Sequence, residues 1–435
     1  MLQAYAMLEN RGLIEARPQS GYYVRTPQRA IEEPGTTRPP RVPRLVGVQE
    51  LVGRVLEASR DPALVPLGAA IPGAELVPTA KLQRIVSTIA RRQPHSMATY
   101  GMPPGREELR RQIALRARDW GASVTADELI ITNGCMEALN LCLRAVARPG
   151  DIIALESPTY FGVLQIIESL GMKALEVPTH PREGVSLEAL ALAIERETVK
   201  ACLLMPNFSN PLGSTMPDAA KRRLVQMLAE RDIPLIEDGV YNALHFSATP
   251  PYSAKAYDRK GMVMLCSSYT KCLAPGFRVG WVAPGRYYEQ VRLLKFMSSG
   301  GTPELLQLAV AEFLENGGYE RHLRSVQRTY SRLTELTQGA VARHFPAGTR
   351  ATRPSGGFVL WVELPKGCDA VELYDRALQE HVGFAPGPMF SVTDRYRNCL
   401  RLSCAVPWTP RIEHALVRLG ELAHRLAGRA TRQRA

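Results

Sequence analysis

The chain has no Cys-x-x-Cys pair; its eight cysteines stand at 135, 142, 202, 266, 272, 368, 399 and 404. That scatter argues against a zinc site or a disulfide framework and points to a reducing, cytoplasmic setting. No uninterrupted run of about eighteen apolar residues occurs, so no membrane span is expected. The opening residues, Met1-Leu2-Gln3-Ala4-Tyr5-Ala6, carry neither a charged n-region nor an apolar h-region and do not read as a signal peptide. No internal repeat is visible.

What is present is 435 residues, 45% hydrophobic and 22% charged, enough for two or three domains around a large core. The net charge of +12 permits an acidic partner such as nucleic acid. Residues 1–65 hold nine arginines against seven acidic residues, so the excess lies mostly elsewhere and an arginine-rich composition accounts for it equally well. Residues 26–44 carry five prolines and almost no apolar side chain, the composition of an extended, semi-rigid linker. Before it, Leu2 to Asn10 reads as the end of an amphipathic helix, with Gly12 as its C′ residue. Leu13–Arg17 and Tyr22–Arg25 read as two short strands about the turn Pro18-Gln19-Ser20-Gly21.

From about residue 66 the pattern alternates. Strands are expected at 127–132, 151–156, 173–177, 199–205 and 234–237, and helices at 137–146, 161–170, 187–195 and 218–231. That order predicts a largely parallel α/β sheet wrapped by helices. A helix starting at Thr302-Pro303 leads to a C-terminal α+β piece: strand 358–364, helix 371–381, strand 400–404 and helix 412–426.

Ligands in such a sheet sit beyond the strand ends. After one apolar run comes Ser267-Ser268-Tyr269-Thr270-Lys271, then Pro275-Gly276 and, seven positions beyond the lysine, Arg278. A lone lysine in such a loop is usually a solvated charge. Here a lysine able to lose its proton suits an aldehyde, and Ser268 and Arg278 suit a phosphate, which together fit pyridoxal 5′-phosphate (PLP). Thr132-Asn133-Gly134-Cys135-Met136 turns into a helix whose first amides, from about Cys135 and Met136, form a phosphate nest. Asn210-Pro211 could offer an amide to a phenolate oxygen. Asp238, at the next strand end, could keep a pyridine nitrogen protonated.

Taken in order, these motifs resemble the fold type I, class I/II aminotransferase family over residues 66–435. The resemblance implies a mostly parallel seven-stranded-type sheet between helices, with a large PLP-binding part over about 95–300. It implies a small α+β part from 66–94 and 301–435. It implies that Lys271 bonds the cofactor aldehyde and shuttles a proton, that Asp238 pairs with the pyridine nitrogen, and that Tyr241 and Asn210 donate to ring O3′. Tyr160 takes the ring-stacking position, with Val240 opposite. Ser268, Arg278 and the Cys135 and Met136 amides hold the phosphate. Tyr100 matches a tyrosine that reaches a neighbouring subunit's phosphate, implying a homodimer. Arg401 matches the clamp for a substrate α-carboxylate. Two positions depart from the family pattern: Thr270 precedes the lysine where serine is common, and Gly239 follows Asp238 where a larger residue is usual.

Residues 1–26 resemble the end of the recognition helix and the wing of the GntR family of transcription regulators. With the linker (27–65) and the aminotransferase-like body, the whole resembles the MocR subgroup. By that resemblance the chain as given starts inside the recognition helix, so the expectation is weak operator binding unless the complete winged helix is restored. Three functions stay open: a regulator whose PLP domain senses an amino-acid-like effector, a working aminotransferase converting an amino acid to a 2-oxo acid, and a PLP-binding scaffold with neither activity.

Overall fold

The computed structural model describes Tyr5 and residues 14–17, 21–24, 31–47, 49–316 and 318–432. Apart from Tyr5, the expected helix end over Leu2–Asn10 lies outside the described residues, as do Gly12, the turn residues 18–20 and the linker start at 26–30. The expected hairpin is there: Ile14–Arg17 pairs antiparallel with Gly21–Val24.

Seven strands form the central sheet: β1 (Ile130–Thr132), β2 (Ile152–Ser157), β3 (Lys173–His180), β4 (Val199–Leu204), β5 (Leu235–Asp238), β6 (Val263–Ser268) and β7 (Gly280–Ala283). Their spatial order is β3-β2-β4-β5-β6-β7-β1, with short strands Arg44–Leu45 and Gly184–Val185 added beside β3. The pairings from β3 to β6 are parallel, and β7 runs antiparallel to both its neighbours.

The strands are largely apolar and buried because both faces are covered. Alternate residues go to opposite sides. Ala154, Cys202, Leu204, Leu235 and Val263 join one apolar cluster with Leu190, Leu224 and Leu228 of the helices Leu187–Arg196 and Asp218–Glu230. Ile153, Leu155, Leu203, Ile236 and Met264 join the other with Leu139, Leu143 and Ile167 of the helices Cys135–Val146 and Phe161–Ser169. Serine at the N-cap starts the helix Leu187–Arg196, its side chain accepting from the Ala189 amide at 3.2 Å.

One expected strand is shorter than its apolar pattern. Residues 126–128 form a 3₁₀ turn under a capping box between Thr125 and Glu128, so the acidic residues cap and only Ile130–Thr132 pairs. Helices Gln49–Ala58, Thr79–Arg92 and Glu107–Ala117 come in addition to those expected from the sequence pattern.

The smaller part is a four-stranded antiparallel sheet, ordered Arg350–Ala351, Val359–Glu363, Cys399–Ser403, Ala385–Pro386. Helices Gly318–His344, Ala370–Gln379 and Pro410–Arg432 accompany it. Arg401 sits in its interior, flanked by Trp361 and Ala385.

Residues 31–44 of the proline-rich segment lie along this body. Glu32 bridges to Arg350, Thr37 Oγ1 donates to the Ser157 carbonyl at 2.6 Å, and Arg44–Leu45 pairs with Lys173–Ala174. Main-chain groups make most of these contacts, so the lack of apolar side chains is no obstacle.

Candidate active site

The parallel strands β2, β4, β5 and β6 end on one side, and a cavity of about 320 Å³ opens there. Cys135, Met136, Tyr160, Asn210, Asp238, Val240, Tyr241, Ser268, Lys271, Arg278 and Arg401 all line it. Of the residues given a cofactor or substrate role from the sequence, Tyr100 stands elsewhere, 85% exposed on the surface.

Asp238 closes β5 and is buried; its Oδ1 accepts from the Val240 amide at 3.1 Å and from Cys135 Sγ at 3.4 Å. Burial pushes its pKa up to about 6, against the lowering effect of these hydrogen bonds and of Lys271. At Gly239, which follows, a Cβ would stand 2.7 Å from Asn242 Nδ2 and 2.9 Å from Leu265 Cδ1, so a larger residue there requires these two side-chain ends to shift.

Lys271 follows β6 in the turn toward β7, and its Nζ donates to the Ala70 carbonyl at 2.6 Å. Burial first, then the positive charge of Arg401, lowers its pKa to about 8; Asp238 opposes this. The amine is thus much nearer neutrality at physiological pH than an ordinary lysine.

Cys135 opens the helix that follows β1, so the first amides of that helix have no intrahelical partner. Gly134, at φ +84°, turns the chain into it, and Arg278, itself left-handed at φ +54°, folds back over the turn. A Cβ on Gly134 would lie 2.6 Å from the Arg278 guanidinium. The turn is braced from behind by Glu137, which accepts from the Asn133 amide at 2.6 Å, Ser299 Oγ at 2.7 Å and Lys295 Nζ at 2.8 Å.

Arg401 is buried. Nη1 donates to Asn210 Oδ1 at 3.1 Å, Nη2 to the Gly68 carbonyl, and the guanidinium stacks 5.2 Å from the Phe390 ring centre. Its Nε is buried with no partner. Burial pushes the Tyr241 phenol well above its usual range, and its ring meets Phe358 edge-on at 5.1 Å.

Several contributors have little signal in the sequence. Thr270 Oγ1 is buried without a partner beside Ser268, and the sequence marks this residue only as a departure from a family pattern. Glu156, at the end of β2, is held well above the ordinary carboxylate range by burial, with the Met205 amide its one hydrogen-bond donor at 3.4 Å. The segment 68–70 supplies carbonyls to both Lys271 and Arg401, and Val55 and Leu56 of the helix Gln49–Ala58, with Ser59 just beyond it, form a wall. Long-range placement, not local pattern, brings these in.

This geometry fits a phosphorylated aldehyde. A phosphate has the helix amides, Ser268, the partnerless Thr270 hydroxyl and Arg278; an aldehyde has Lys271; a pyridine nitrogen has Asp238. A family model for aminotransferase class I and II matches residues 73–419. The chain belongs to this family.

Two Escherichia coli relatives are described as uncharacterized HTH-type transcriptional regulators. The chain is 40% identical to YjiR, covering 97% of itself and 90% of the relative. It is 41% identical to YdcR, covering 96% and 89%. Among solved structures, LysN, the α-aminoadipate aminotransferase of Thermus thermophilus, complexed with N-(5′-phosphopyridoxyl)-L-leucine, aligns with a TM-score of 0.81 at 31% identity. That match covers 87% of this chain and 95% of LysN. The expected fold type and the likeness to HTH-type regulators with an aminotransferase-like body are borne out by these matches.

Proposed function

We propose that the chain is a PLP-binding transcriptional regulator of the MocR type whose aminotransferase-like body reads an amino acid. The observation that carries this is the convergence of Lys271, Asp238, Arg278 and Arg401 on one cavity, in a chain alike over 97% of its length to a relative described as an HTH-type regulator.

When bound, PLP supplies an aldehyde for an amine and a ring that draws electron density from the substrate's Cα. Lys271 offers a near-neutral Nζ to the aldehyde and afterwards holds or returns a proton at that nitrogen. Asp238 keeps its charge facing the pyridine nitrogen. Asn210 gives its Oδ1 to Arg401, which leaves its NH₂ group free to donate, with Tyr241, to the ring oxygen. Tyr160 and Val240 cover the ring faces. Ser268, Arg278 and the Cys135 and Met136 amides hold the phosphate. Arg401 grips the α-carboxylate, its partnerless Nε supplying one donor. Tyr100 acts on the neighbouring subunit of a homodimer. The hairpin Ile14–Arg17/Gly21–Val24 belongs to a winged helix that binds DNA once it is restored in full. Among the described residues no helix is long and apolar enough to cross a membrane. All eight cysteines are unpaired and buried, in keeping with a cytoplasmic setting.

A second reading, a working aminotransferase, is favoured by the completeness of this residue set and by 33% identity to the 2-aminoadipate transaminase of Thermus thermophilus. One experiment separates them. PLP-loaded protein carrying the complete winged helix is mixed with an amino acid while both operator binding and 2-oxo acid release are followed. A changed DNA affinity without sustained turnover supports the regulator; sustained turnover with unchanged DNA affinity supports the enzyme. Protein that stays colourless with PLP, or in which borohydride labels a residue other than Lys271, refutes both.

A further inference from the structure

We infer that the amino acid taken up by this cavity carries an uncharged, apolar side chain, aliphatic or aromatic; the inference rests on reading the cavity as an amino-acid site. Charge is the first ground. Among the described residues lining it are three cations, Lys271, Arg278 and Arg401, and one acid, Asp238. With PLP and an amino acid bound, all four would be engaged, Lys271 with the aldehyde, Arg278 with the phosphate, Arg401 with the α-carboxylate and Asp238 with the pyridine nitrogen. Within a single copy of the chain none then remains to meet a second charge on the ligand. Arg54 and Asp375, the chain neighbours of the lining residues Val55 and Tyr374, neutralise each other in an ion pair.

The rest of the wall is the second ground. Val55, Leu56, Leu64 and Ile71 line it from the N-terminal stretch, and Phe384 from the smaller part. Leu56 and Ile71 are 48% and 54% exposed, so this wall leaves large apolar side chains uncovered. An apolar ligand side chain removes that surface from water, which is favourable. A carboxylate or ammonium placed there loses hydration and finds no counter-charge, which is costly.

The test uses the full chain loaded with PLP and freed of excess cofactor. L-leucine, L-methionine, L-phenylalanine, L-glutamate, L-aspartate and L-lysine are titrated separately, reading the cofactor absorbance band and, independently, the melting temperature. At least one apolar amino acid should half-saturate at a concentration about tenfold or more below every charged one. A charged amino acid that half-saturates first overturns the inference while leaving the amino-acid reading intact. If no amino acid moves either signal although borohydride still fixes PLP to Lys271, the amino-acid reading fails and this inference with it. Leu56→Lys adds a readout that mere damage would not reproduce. Leu56 is half-exposed on a surface helix, so the fold should tolerate the change. The variant should shift preference toward L-glutamate relative to L-leucine by about tenfold. An unchanged ratio removes Leu56 from the wall.

Discussion

Arg401→Ala tests the carboxylate clamp most directly. The guanidinium is buried among Asn210, the Gly68 carbonyl and the Phe390 ring, and its Nε has no partner within the chain. An incoming carboxylate would therefore meet a desolvated, pre-aimed donor, and truncating one side of such a charged pair costs about 2–5 kcal/mol. That corresponds to roughly 30-fold to several-thousand-fold in affinity. The change also strips Asn210 Oδ1 and the Gly68 carbonyl of a donor, at about 1–3 kcal/mol for each acceptor that water does not reach, so some loss of stability accompanies it. The two effects are separable by comparing an amino acid with the amine that lacks its carboxylate, both titrated against the cofactor absorbance. The parent protein should prefer the acid by the factor above. In Arg401→Ala that preference should vanish, whatever happens to overall affinity. A variant that keeps the preference would show that Arg401 does not hold the carboxylate.

Three further outcomes are expected. Lys271, with its pKa lowered to about 8, is roughly one-tenth neutral at pH 7, so the rate of PLP uptake should rise about tenfold between pH 7 and 9 and then level. A rate that keeps climbing to pH 10.5 would mean an ordinary lysine. Gly134→Ala places a methyl against Arg278 in a left-handed turn, costing about 1–3 kcal/mol of strain; PLP and inorganic phosphate should both bind more weakly, as equilibrium dialysis would show. The protein should sediment as a dimer, and Tyr100→Ala should weaken PLP retention without lowering the melting temperature of the cofactor-free chain, because the side chain is 85% exposed in a single copy. Unchanged retention would remove Tyr100 from the neighbouring site.

Local chemistry made a good part of this molecule legible. Short apolar runs such as Val263–Cys266 suit strands covered on both faces, and they alternate with amphipathic stretches such as Asp218–Glu230, so a mostly parallel sheet followed from the residues themselves. Turn chemistry marked the strand ends, and with them Gly134, Asp238 and Lys271. Residues whose contribution depends on distant neighbours carried no such mark. Gly239 is anomalous by sequence alone, and only the fold shows that the side-chain ends of Asn242 and Leu265 crowd the place a Cβ would take. Thr270 became a donor candidate only because burial leaves its hydroxyl without a partner.

Folding in three dimensions also decided what the amine and the clamp are. By type alone, Lys271 and Arg401 are cations that water would ordinarily solvate. Burial in one cavity removes that water, lets the positive charge of Arg401 help lower the Lys271 pKa, and aims both at carbonyls of the segment 68–70. Desolvation and charge coupling between residues far apart in the chain are properties of position in space. A sequence can nominate the groups that take part, but their strength is set by what surrounds them.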